Sequence, residues 1–248
     1  MTHAHGISPR SLRIIAAHSA LAGLCPLIPM PYVDDFVIRR VARRMCSDLY
    51  AAHGLSLSVS GERVLTEAPT AWLRGAATSV ALFPVRKLLR RVVYLLAIRD
   101  CADVASHVFH DGWLLAHLLE HGKTAGKHGP SLEDTRYLKK VRAAMLRTYK
   151  DIDPAPLKRA LFGTFAGARV GVEHAVEAIQ RRRRGGDAVH APNPEGVAHD
   201  ASVESVAGRM RDAAMGQWKY LDALEQEFRR HLGLPAQQAG IEATAAAS

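Results

Sequence analysis

Residues 14–33, IIAAHSALAGLCPLIPMPYV, run for twenty positions without Asp, Glu, Lys or Arg. That is about the length needed to cross a bilayer. The second half of the run carries Pro26, Pro29 and Pro31. Each proline removes a backbone donor and clashes with the preceding turn, so one straight helix cannot hold the whole run. The expected form is a helix over 11–24, a Pro-rich turn, and a new helix from Asp34, whose carboxylate suits the positive end of a helix dipole. Such a run can be a re-entrant or interfacial hairpin, or a buried core helix followed by a loop.

The helical pattern continues along the chain. In 35–52, Val37, Ile38, Val41, Met45 and Leu49 share one face and Arg39, Arg40, Arg43 and Arg44 the other. Gly54 closes that helix. Residues 55–70 read as a loop. The segment RKLLRRVVYLLAI sets Arg86, Lys87, Arg90 and Arg91 against Leu89, Val92, Val93, Leu95 and Leu96, with the spacing of the first basic block. Further helices are expected over 100–121, from the Ser131 cap to about 149, over 156–183 and over 202–232. Aromatic residues are only 6% of the chain, which argues against a sandwich or barrel. The expected fold is therefore all-α, a multi-helix bundle with Pro-broken apolar helical hairpins. A basic body (1–184), a flexible linker (185–201), one amphipathic helix (202–233) and a disordered tail (234–248) make up the chain.

The charge is unevenly spread. The whole chain carries +9. Residues 1–184 hold 28 Lys/Arg against 15 Asp/Glu, a net of +13, and the remainder 5 against 9, a net of −4. A cationic body calls for an anionic partner, either a membrane surface or nucleic acid. Three scattered cysteines, Cys25, Cys46 and Cys101, form no metal or disulfide pattern and fit a reducing compartment. No secretory signal is evident, so the expected location is cytoplasmic, peripheral to the inner membrane.

Three features could carry chemistry. Asp103, His107, His110, His117 and His121 fall within one ~80° arc of a helix, opposite Val104, Val108, Trp113, Leu115, Leu118 and Leu119. Histidines so spaced can bind a divalent metal. The larger expectation is a solvated polar face, with no cofactor. Gly163, Gly167 and Gly171 form a small-residue ridge suited to close helix packing. The two basic blocks are candidate contacts to anionic lipid. Interleaved aromatics and reader modules are missing, which places nucleic acid behind a membrane. No phosphate-binding loop, dinucleotide fingerprint, G-x-S-x-G elbow or H-E-x-x-H pattern occurs, so the chain lacks a catalytic signature.

Residues 16–57, AAHSALAGLCPLIPMPYVDDFVIRRVARRMCSDLYAAHGLSL, show an Ala-rich helix, a Pro-containing turn with Asp, and a helix with Met that ends near Tyr and Gly. The positions are Pro26, Pro29, Pro31, Asp34, Met45, Tyr50 and Gly54. This pattern resembles the helical module of unknown function attached to some bacterial GTPases, and also the EcsC-like helical proteins. The Arg39–Arg44 block departs from it, and no GTPase domain is present. The resemblance implies membrane proximity and a helper role. The combined expectation is a non-catalytic accessory or scaffold at the cytoplasmic face of a bacterial membrane. Its partner would be an anionic membrane surface or a membrane-protein complex, with 202–232 as a possible protein-binding element. A histidine-rich metal-binding helical enzyme is the alternative and a nucleic-acid-binding module the third.

Overall fold

The computed structural model describes residues 6–27, 34–67, 90–121, 132–167, 174, 176–177 and 201–234. Within them every regular element is helical: α1 (Pro9–Leu24), α2 (Asp34–Ala52), α3 (Val59–Leu65), α4 (Arg90–His121), α5 (Thr135–Asp151), α6 (Ala155–Gly167), α7 (Ala201–Met215) and α8 (Trp218–Leu232). A short 3₁₀ turn, Cys25–Leu27, follows α1. Helices pack on helices around one core, as an all-α bundle.

Local chemistry explains the helix ends. Ser8 caps α1 by accepting from the Ser11 amide, and Pro9 follows at the first helical position, where its missing donor is harmless. Pro26 then stops α1. Asp134 caps α5 through the Arg136 amide, so the cap is Asp134 rather than the expected Ser131. Gly54 and Gly233 adopt positive φ of 71° and 70° after α2 and α8. There they let Leu55 and Leu234 donate back to the carbonyls of Tyr50 and Arg229.

Helix α4 is the axis. From Cys101 to Leu119 only Asp103 and His107 reach even intermediate exposure. It packs against α1, α2, α6 and α8. Helix α7 lies on α1 and α6, α8 on α5, and α3 on α5 and α2. The apolar half of the uncharged run, with Ile15, Ala20, Leu21 and Leu24, is buried in this protein core. No described helix is long and apolar enough to cross a membrane.

Several expectations are corrected. Residues 59–65 form a helix, because Ser58 caps it through Gly61 and Gly61 and Leu65 seat it in the core. The basic segment from Arg90 and the histidine helix are one element, α4. The segment 202–232 is two helices, broken at Gly216–Gln217, not one. Nor does it stand apart from the body. Val203, Val206, Met210, Leu221, Leu224 and Phe228 belong to the same apolar cluster as α1 and α4. The linker and tail lie outside the described residues, apart from Ala201 and Leu234.

The glycine ridge is also corrected. Gly163 and Gly167 are exposed on α6, and a Cβ at either would meet no atom within 4 Å. Gly171 lies outside the described residues. Close packing occurs instead at Gly23 on α1. A Cβ there would stand 2.8 Å from Ala105 Cβ, 2.8 Å from Phe165 Cζ and 3.0 Å from the Cys101 carbonyl oxygen.

This contrast generates a test by chemical denaturation. Gly23→Ala should destabilise by about 1–3 kcal/mol, as overpacking does. Gly163→Ala should be neutral or stabilise by up to about 1 kcal/mol, because it only removes backbone freedom from the unfolded chain. Phe228→Ala should lose about 3–5 kcal/mol. A Phe228→Ala loss below about 1 kcal/mol would show that α8 is not part of the core.

Candidate functional site

The histidine stripe of α4 does not face water. It forms an internal polar seam covered by α5 and α8, and this overturns the solvated-face expectation. His110 and His117 are buried, as are Ser106 and Asp111. Because the apolar stripe of α4 packs on α1, its polar side is left to the two amphipathic helices, and each polar group must find a partner inside.

At one end of the seam, Asp111 Oδ1 accepts from Arg142 Nη1 at 2.7 Å and from Tyr149 Oη at 2.7 Å. The other oxygen lies 3.5 Å from His107 Nε2. Arg142 also donates through Nε and Nη2 to the Glu67 carbonyl, tying the end of α3 to the seam. His110 Nε2 and Tyr220 Oη are 2.6 Å apart, while its Nδ1 lies 3.4 Å from Ser106 Oγ. The His110 ring stands between the rings of Tyr149 and Tyr220, with both centroid distances 5.7 Å.

The other end holds His117, whose Nδ1 lies 3.1 Å from Glu225 Oε2 and whose Nε2 lies 3.4 Å from Arg229 Nη1. The His121 ring stacks on it at 4.4 Å and its Nδ1 reaches the His117 carbonyl. Asp103, at the start of the stripe, pairs with Lys158 of α6 at 2.9 Å. Next to the His117 end, Glu120 receives the Ser8 amide at 2.7 and 2.9 Å and the Ser11 hydroxyl at 3.0 Å, which anchors the start of α1. His53 Nε2 also approaches Ser11 Oγ at 3.3 Å. The Ser11–His53–Glu120 grouping is no nucleophile relay, since the carboxylate contacts the serine directly and the same histidine nitrogen faces both.

Around Asp111 the electrostatics are those of a paired network. Burial pushes the Asp111 carboxyl up, but Arg142, His107 and the Tyr149 hydrogen bond together hold it below its ordinary range. His110 is pushed down to about 3, first by burial and then by His107. His107 is lowered too, again mainly by burial. Tyr149 and Tyr220 are raised by burial. Near neutral pH the carboxylate is therefore charged and the His107 and His110 rings are neutral. Cys46 and Cys101 are buried free thiols raised by desolvation, which makes them poor nucleophiles.

The metal alternative through His107, His110, His117 and His121 is not assembled. From 107 to 121 the stripe climbs about 21 Å along the helix, so all four cannot meet at one ion. His110 and His121 are spent on internal hydrogen bonds, and His107 and His117 face carboxylates. Among the described residues, one group of donors gathers closely enough for a metal, and it is Asp151, Glu227 and His231.

The basic blocks divide. On α2, Ile38, Val41, Met45 and Leu49 are buried and Arg39 and Arg40 are exposed, with Arg43 and Arg44 half-buried. Arg44 pairs with Asp48 at 2.9 Å. Phe36 stands 59% exposed on the outer side. Arg90 and Arg91 open α4, but their side chains, with Arg86 and Lys87, lie outside the described residues.

Sequence reasoning missed Asp111, Arg142, Tyr149 and Glu225. Two of them carried a signal. Asp111 follows His107 by four residues, on the same face. Arg142 sits inside the α5 stripe Leu138, Val141, Met145, where a cation requires a buried partner. Comparison with family models, with curated proteins and with solved structures finds no match at significance.

Two outcomes follow from the seam. Asp111→Asn should destabilise by about 3–5 kcal/mol, because Arg142 is left buried without its counter-charge. The pH dependence has a defined sign. Folded His110 stays neutral down to about 3, whereas the unfolded residue titrates near 6.5. Between those values the unfolded chain binds more protons, so stability is full above about 6.5 and falls as pH drops. His107 acts in the same direction, and the Asp111 contribution is lost only below about 3.9. Urea denaturation between pH 6 and 4 should show His110→Leu flattening the slope by about 1.4 kcal/mol per pH unit, one proton's worth. An unchanged slope would show that His110 takes up a proton in the folded state.

Proposed function

We propose that this protein is a non-catalytic helical scaffold that docks at an anionic membrane surface through the outer face of α2. The observation that carries the reading is the grouping of Phe36, Arg39, Arg40 and Arg43. At 100° per residue these four share one ~100° arc, opposite the buried Ile38, Val41, Met45 and Leu49. The helix is held by its apolar face in the core, so its cations are presented by a rigid support. One exposed aromatic stands at the N-terminal end of this face. Cations beside an aromatic suit the headgroup region, where charge meets phosphate and the ring reaches the acyl boundary. The +13 body supplies a long-range attraction of the same sign. The likeness of residues 16–57 to helical modules of membrane-proximal proteins points the same way. This docking is peripheral, since the apolar half of 14–33 is used by the protein core.

The second basic block would add to the contact if Arg86, Lys87, Arg90 and Arg91 face the same plane. The non-catalytic part rests on the seam, where Asp111 is bonded to Arg142 and Tyr149 and His110 to Tyr220, and on the core thiols Cys46 and Cys101, which burial keeps protonated.

Co-sedimentation with phosphatidylcholine vesicles, with and without phosphatidylglycerol, tests the reading. The protein should bind only the anionic vesicles, and less as salt rises. At about 1 kcal/mol per cation, changing Arg39, Arg40 and Arg43 together to Gln should weaken binding about a hundredfold at low salt. Phe36→Ala should cause a smaller loss that persists at high salt. Equal binding to both vesicles, or binding to duplex DNA and to neither vesicle, would overturn it.

A further inference from the structure

We propose that Asp151, Glu227 and His231 form a binding site for a first-row divalent cation, Zn²⁺ foremost, which clips α8 to the end of α5. Nothing in the docking face or the buried seam uses these three residues.

The site is built from two helices. Asp151 is the last residue of α5. Glu227 and His231 are four residues apart on α8, so they stand one above the other on one face. His231 Nε2 lies 2.8 Å from Asp151 Oδ2 and 3.1 Å from Glu227 Oε1, and one donor atom from each residue falls within 4.8 Å of the others. Donors bound at about 2.1 Å to one ion are separated by about 3.0 Å in an octahedron and about 3.4 Å in a tetrahedron. Both distances from the imidazole are therefore near those of a coordination sphere. The two carboxylates, whose donor atoms lie within 4.8 Å of each other, would close on the ion by side-chain rotation.

The metal-free arrangement converges three donor side chains on one point. A single ring nitrogen carries at most one hydrogen, yet this one faces two carboxylate oxygens. The remaining negative charge is met by Arg230, which contacts both oxygens of Glu227 and lies 3.4 Å from Asp151 Oδ2. That guanidinium is the groups' resident cation. Its side chain is 64% exposed, so it can swing into water when a doubly charged ion replaces it.

The donor set selects the ion. One imidazole and two carboxylates are borderline to hard, which suits Zn²⁺ or Mn²⁺ and disfavours soft monovalent copper. Water would complete the shell, because Asp151 is exposed and Glu227 and His231 only half-buried. The consequence is mechanical. Helix α8 carries Tyr220 and Glu225, and α5 carries Arg142 and Tyr149, so an ion joining the two helices would hold the cover of the α4 seam in place.

The test uses the full-length chain, stripped with chelator and exchanged into metal-free buffer. Zn²⁺ titrated by calorimetry should bind at one equivalent and raise the melting temperature. Co²⁺ should give the visible bands of a bound, low-symmetry ion. Asp151→Asn and His231→Ala should each weaken Zn²⁺ at least tenfold. Arg230→Gln should tighten it several-fold, since it removes the competing cation, a gain that a purely structural ion-pair network would not show. Absence of binding at millimolar Zn²⁺ in both the wild type and Arg230→Gln would overturn the proposal. So would binding that survives Asp151→Asn unchanged, because the ion would then sit on other histidines of the chain. Asp151 lies at the surface, so its variant folds and keeps the test valid.

Discussion

Asp111 and Arg142 meet at 2.7 Å inside the bundle, and the arrangement of the surrounding helices depends on that meeting. A buried carboxylate or guanidinium is tolerated only when its counter-charge and hydrogen bonds are present together. Asp111 comes from α4, Arg142 and Tyr149 from α5, and the Glu67 carbonyl from the end of α3. Four groups on three elements must therefore arrive in one place. A sliding of α5 by one turn would keep much of its apolar contact but would strand both charges. Burial of apolar surface drives collapse without direction; this pair restricts which collapsed arrangement is acceptable.

The same constraint runs along α4. A helix covered on all sides can carry polar residues only where neighbours answer them. Tyr220 answers His110, Glu225 and Arg229 answer His117, and Lys158 answers Asp103. The answering residues lie on α6 and α8, so the C-terminal helices complete the interior rather than decorate it. The outer surfaces are then free for other uses. Docking is proposed for the cationic face of α2, and the carboxylate–imidazole group sits where α8 meets α5.

Much of the fold was legible. The 3.6-residue pattern and the proline and glycine punctuation located α1, α2 and α5 closely, since those signals act within a few residues. Failures came where the deciding partner was distant. Residues 59–65 have too little apolar pattern to declare a helix, and α3 exists because Gly61 fits against Leu138. The glycines of α6 suggested a ridge, but close approach occurs only if another helix arrives, and it arrives at Gly23. The histidines were seen as one stripe, while their surroundings were misjudged. A stripe of imidazoles on a lone helix is indistinguishable from a wet face until α5 and α8 bring Tyr149, Tyr220 and Glu225.

By itself, then, the sequence determined that the chain is helical, where α1, α2 and α5 begin and end, that its positive charge is concentrated in the first 184 residues, and which residues carry titratable chemistry. Periodicity, capping and proline stereochemistry are local, and each is fully written in neighbouring residues. Tertiary structure alone decided that α7 and α8 share the core, that the polar stripe is internal, and that Asp151 meets His231. Those facts depend on contacts between residues separated by tens of positions. Their energies come from burial and from pairing of desolvated charges, and neither exists until the helices have packed.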